Sequence, residues 1–212
     1  MGSRSILALG VGAAVALSAC STDRVVTRPD PVPVTEERLA EALIDEGDLP
    51  EGYTADDGPG TPISTEILPE HACDDALAEL EPKEAVARDF TGPEATVTHA
   101  VAWFPGQGAA VEQLFRDVAN ECGAVVATDE GLSIRAGRLD FGVLSDDTLP
   151  IRFELEPESG PIEERDIVLR RAGDLISVIT LRGPRPSDKA LLDGATRVMI
   201  GYLGLLHDDT TN

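Results

Sequence analysis

The sequence predicts an α+β domain: a largely antiparallel sheet with helices packed on one face. Three observations predict it. "ATVTHAVAWFP", 95–105, alternates with period two; Val97, His99, Val101 and Trp103 share one face, and Ala100, Ala102 and Phe104 the other. Four more strand-like runs follow one another: "GLSIRAGRLDF", "PIRFELEP", "ERDIVLRRAG" and "LISVITLRG". Helical-period stretches stand before and after that run, so strands neighbour strands in the chain and pair antiparallel.

The chain opens "MGSRSILALGVGAAVALSAC", with Arg4 the single charge before Cys20. A positive start, a short apolar core and small residues before a cleavage point predict a signal peptide over 1–19. The apolar run falls short of the about 20 residues a membrane-spanning helix needs. Leu17-Ser18-Ala19-Cys20 resembles the lipobox of bacterial lipoprotein precursors. That resemblance implies a diacylglycerol on the Cys20 thiol and cleavage just before it. Buried acyl chains contribute about 0.8 kcal/mol per CH₂, so more than one chain anchors stably. Residues 20–35 carry Pro29, Pro31 and Pro33 without amphipathic period and predict an extended tether.

A single domain is expected over 36–207. Thr35 caps a predicted helix, "EERLAEALIDEG", which Gly47 would stop. "DLPEGYTADDGPGTP" reads as turn-rich coil and "LPEHACDDALAELEP" as a short helix. In "GAAVEQLFRDVANECG", Val111, Leu114, Phe115, Val118 and Cys122 make one apolar face, ended by Gly123. "RAGD", with Gly173, signals the turn of a hairpin between the last two strands. A final helix presents Leu191, Ala195, Val198, Tyr202 and Leu205, with Ser187 as its cap, and 208–212 is expected to fray.

The chain has 17 Lys and Arg against 39 Asp and Glu, a net charge of −22. That balance argues against nucleic acid, or an anionic membrane, held by a broad basic face. Aromatic content of 4% disfavours stacking platforms for sugars or single strands. With Cys20 lipidated, Cys73 and Cys122 remain. In an exported protein such a pair is by default a disulfide. Closing a loop of about 50 residues is worth roughly 4 kcal/mol in the loop-entropy account.

Chemistry is sparse. His71, His99 and His207 form no H-x-x-x-H pair, so no metal or cofactor is expected. Asp45, Asp48 and Glu51 stand among glycines but not in EF-hand order. There is no G-x-S-x-G elbow, and neither Ser133 nor Ser177 has a spacing signature with His99. Only geometry can reveal a Ser-His site. Arg170, Arg171, Arg182 and Arg185 are a local positive group, either paired with nearby carboxylates or a small anion site.

The lipobox, the Pro-rich spacer, "ALIDEGDLPEGYT", the strand "AVAWF" and the helix "GAAVEQLFRDVANECG" together resemble small actinobacterial lipoproteins of the PknH-like extracellular sensor-domain type. The resemblance spans 36–206 as an order of elements and implies an α+β domain with a cleft, outside the cytoplasmic membrane. The kinase sensor has two disulfides, against the one pair available here. A second resemblance is to mycobacterial-type lipoproteins with a PsbP-like sandwich.

The expected function is non-enzymatic: a lipid-anchored domain on the extracytoplasmic face of the cell membrane that binds an unknown small-molecule, lipid or cell-wall ligand and no nucleic acid. Its cleft would lie between sheet and helices, lined by apolar and Arg side chains. The alternatives are a scaffold for envelope enzymes, with an exposed apolar patch, and an envelope hydrolase using His99 or another base.

Overall fold

The computed structural model describes residues 32–60, 63, 81–121, 126–127, 133–139, 148–184 and 188–211. The expected signal peptide and lipidated Cys20, both bridge cysteines Cys73 and Cys122, and His71, Arg185 and Ser187 lie outside the described residues.

In chain order the elements are α1 (Glu36–Glu41), a single 3-10 turn (Glu46–Asp48), β1 (Thr54–Ala55), β2 (Glu84–Thr91), β3 (Thr96–Trp103), α2 (Gly108–Glu121), β4 (Val126–Ala127), β5 (Ser133–Arg138), β6 (Thr148–Glu156), β7 (Glu163–Ala172), β8 (Leu175–Pro184) and α3 (Lys189–Thr211). The described strands form one sheet in the order β1-β2-β3-β8-β7-β6-β5-β4, antiparallel at every junction. After β3, α2 carries the chain across one face to the far edge, and the strands then fold back until β8 closes against β3.

The β7–β8 hairpin turns through Gly173 and Asp174, with Ala172 opposite Leu175. Gly173 sits at φ +60°, where a side chain is strained. Asp174 then fastens the next connection: its carbonyl accepts from the Phe104 amide at 2.9 Å, and its carboxylate from the Gly106 amide at 2.8 Å.

The α+β class and the antiparallel sheet are as the sequence predicts, but the helices take both faces rather than one. Ala100, Ala102, Ile176 and Val178 join Val111, Phe115 and Val118 of α2 in one core. Val97, Val168, Ile179 and Leu181 join Leu191, Leu192, Ala195 and Met199 of α3 in another, which Leu39, Leu43, Val101, Leu175, Leu203 and Leu206 extend at the α1 end. Central strands apolar on both faces need cover on both, as buried strands generally do. Arg152 and Asp166 pair across β6 and β7 through two hydrogen bonds of 2.6 Å, with Asp166 fully buried.

Three local expectations change. The first helix ends at Glu41: the Ala42 and Leu43 amides close tight turns on the Leu39 and Ala40 carbonyls, the Ile44 amide leaves for His99, and Asp45 and Asp48 cap the 3-10 turn reciprocally. Residues 84–91, not read as a strand from sequence, form β2. The last helix is capped by Asp188, whose carboxylate accepts from Ala190 and Leu191, and continues to Thr211 instead of fraying from 208. Arg38 of α1 holds Asp209 at 3.0 Å, and the Thr210 and Thr211 hydroxyls donate to the His207 carbonyl, tying down that end.

Candidate functional site

Two places gather the candidate groups. The first is centred on His99, in the middle of β3 and fully buried. Its Nδ1 accepts the Ile44 amide at 3.0 Å, and its Nε2 lies 2.7 Å from the Ser177 hydroxyl on β8. Arg88 of β2, directly across from His99, donates to the Ile44 carbonyl at 3.0 Å. Burial first, and the Arg88 charge second, push the imidazole down to a pKa of about 3, so the ring is neutral.

The tautomer follows from the partners. A backbone amide can only donate, so Nδ1 carries the lone pair and Nε2 the proton, which it gives to Ser177 Oγ. A general base for a serine needs that lone pair on the nitrogen facing the hydroxyl. The sequence candidates His99 and Ser177 do meet, but as a buried clasp on Ile44 and not as a nucleophile and its base. Ser133 is on β5, four strand spacings from His99 on β3, roughly 19 Å away. His207 packs beside the Gly173 turn.

The second place is a cleft of about 440 Å³ between α2 and the β5–β6 pair. Its floor is Ala136, Leu149 and Ile151. Ala136 and Ile151 belong to the α2-side core, against which Leu149 and Ala119 pack. Arg116 and Asn120 of α2 and Arg138 of β5 stand at its rim. Arg138 pairs with Ile151 across the strands and therefore shares its face, toward α2.

Beside the cleft, Glu112 holds Arg116 from one helical turn away. Its Oε1 accepts from Arg116 Nη2 at 2.5 Å and Nε at 3.1 Å, and its Oε2 from Arg171 Nε at 2.5 Å. Burial alone would raise the Glu112 pKa; the hydrogen bonds from Arg171 and Arg116 outweigh it and hold the carboxyl below its usual range. One carboxylate thus serves two guanidiniums, and among the described residues Arg138 forms no ion pair. Of the two arginines that line the cleft, Arg116 is thus answered by Glu112 and Arg138 has no anion among the described residues, in a chain of net −22.

Of the arginines singled out in the sequence, Arg171 shares Glu112 with Arg116 but does not line the cleft. Arg182 lies toward the opposite end of the hairpin, across from Arg165, and pairs with Glu163 at 2.7 Å. Arg116 and Arg138 were not singled out; the α2 face identified by its apolar residues was the available signal for Arg116. The Asp45–Asp48 group is engaged locally, each carboxylate accepting a backbone amide and Asp48 also the Tyr202 hydroxyl at 3.3 Å. Among the described residues no cluster of three or more His, Cys, Asp or Glu suits a metal ion. Val32 and Leu205 are the large hydrophobic residues most exposed there.

No protein-family model matches the chain, and no curated protein is similar to it at a significant level. Among solved structures, the extracellular domain of PknH from Mycobacterium tuberculosis superposes with a TM-score of 0.60, at 15% identity over 84% of this chain and 98% of that one. The resemblance read from the sequence is thereby shown as a shared fold. CalU16 from Micromonospora echinospora matches at a TM-score of 0.29 and 16% identity, over 58% of this chain and 85% of its own, a poor superposition.

Proposed function

We propose that this protein is a non-enzymatic, ligand-binding sensor-like domain, tethered to the outer face of the cytoplasmic membrane by lipid on Cys20. The lipobox and proline-rich tether support the address, as does the fold shared with an extracellular domain. One observation carries the binding reading: an apolar-floored cleft rimmed by Arg116 and Arg138, in the position between sheet and helix that such a domain needs. Its volume falls in the about 300–1,000 Å³ range typical of small-molecule sites.

The test is native mass spectrometry of the protein released from its own membrane, beside a variant in which Ala119→Trp fills the cleft. A bound small-molecule mass present in the first and lost in the second is expected. No bound mass in either, or the same mass in both, overturns the reading. Cys20→Ser should abolish acyl labelling; continued labelling would refute the anchor.

A further inference from the structure

Resting on that reading of the cleft, we infer that its ligand is an anionic amphiphile, a single carboxylate or phosphate head held by Arg116 and Arg138 with an apolar tail on Ala119, Ala136, Leu149 and Ile151. The head assignment comes from where the cations are already spent. Arg116 gives Nε and Nη2 to Glu112, which fixes its guanidinium and leaves Nη1 without a partner among the described residues. Arg138, at the strand end facing α2, has no carboxylate of its own there. A guanidinium already oriented by one carboxylate loses little freedom on meeting a second anion, and a second guanidinium lining the same cleft offers a further charge-assisted hydrogen bond.

The tail assignment comes from the floor. Ala136, Leu149 and Ile151 are aliphatic and continue directly into the core that α2 closes, beside the buried Thr148. A fully polar anion such as free phosphate would leave that floor wet. A neutral lipid would leave Arg138 without an anion among the described residues. The net charge of −22 repels anions generally, so selection has to be local, which is what a pair of arginines at one cleft supplies.

Calorimetric titration of the full chain with octyl phosphate, octanol and inorganic phosphate tests this. Octyl phosphate is expected to bind one to one, with octanol and inorganic phosphate each at least about tenfold weaker. Arg138→Gln, which breaks no ion pair among the described residues, should weaken octyl phosphate about tenfold and leave octanol unchanged. Ala119→Trp should abolish octyl phosphate binding while the melting temperature shows the fold intact. If octanol binds as tightly as octyl phosphate and Arg138→Gln changes nothing, the anionic head is wrong while the cleft, if Ala119→Trp still blocks it, remains a site. Equal binding of inorganic phosphate overturns the tail. No binding of octyl phosphate, or binding indifferent to Ala119→Trp, overturns the inference outright.

Discussion

A single imidazole shows how strongly burial and partners decide chemistry. His99 is neutral because no water reaches it and Arg88 is near; it is inert because its lone pair is committed to the Ile44 amide. The consequence for stability has a definite sign. Folding lowers the pKa from 6.5 to about 3. Below the unfolded value the unfolded chain takes up a proton that the folded chain refuses. The His99 contribution is therefore complete above pH 6.5 and is lost progressively as pH falls toward 3. Against a His99→Gln variant, the wild type should lose stability faster over that interval, by up to about 1.4 kcal/mol per pH unit. Urea unfolding across pH 7 to 4 measures it. Parallel slopes would mean that the ring is protonated in the fold and the tautomer wrong. None of this was readable from spacing, because Ile44, Arg88, His99 and Ser177 come from four separate segments.

At the scale of elements, periodicity was legible wherever apolar packing was strong. β3, α2 and the β7–β8 hairpin stand where their patterns put them. β2 escaped because Ala85, Ala87, Arg88 and Asp89 are weak strand formers whose pairing comes from β3 beside them. α3 carries two overlapping apolar lines. The sheet buries Leu192, Ala195, Met199, Leu203 and Leu206, so Leu205, on the line read from sequence, is 67% exposed. Coverage of both faces was implicit in β3, apolar on each side. The cleft was less legible still: its floor comes from β5 and β6 and its rim from α2, and only register brings Arg138 to the α2 side. The seam between α2 and the hairpin is set by backbone approach. A Cβ at Gly108 would stand 2.4 Å from the Gly173 carbonyl oxygen and 2.8 Å from the Asp174 α-carbon. Neither is a side chain that can swing away. Gly108→Ala should therefore push the start of α2 off the turn and cost about 2 kcal/mol, in the range for overpacking. A chemical denaturation midpoint unchanged from wild type would show that the seam yields freely.

For the whole molecule, the governing quantity is the imbalance of 39 acids over 17 bases. The exposed pairs, among them Arg38–Asp209, Arg197–Asp193 and Arg182–Glu163, are each worth about 0–1 kcal/mol at most. The pairs with more at stake are Arg152–Asp166, whose carboxylate is fully buried, and Glu112 with its two arginines, and burial shields both from salt. What salt does reach is the repulsion among unpaired surface carboxylates, which works against the compact state. Raising sodium chloride from about 0.01 M to about 0.1 M shortens the screening length from about 30 Å to about 10 Å. Stability should rise, because more repulsion than attraction lies at the screened distances. A gain of about 1 kcal/mol corresponds to a melting temperature higher by about 2–4 °C for a chain of this size. Thermal unfolding followed by circular dichroism at the two salt concentrations gives the sign directly. A fall in melting temperature would place the dominant electrostatics in the surface ion pairs, and the acidic surface would then be a bonded network instead of a solvated, self-repelling coat.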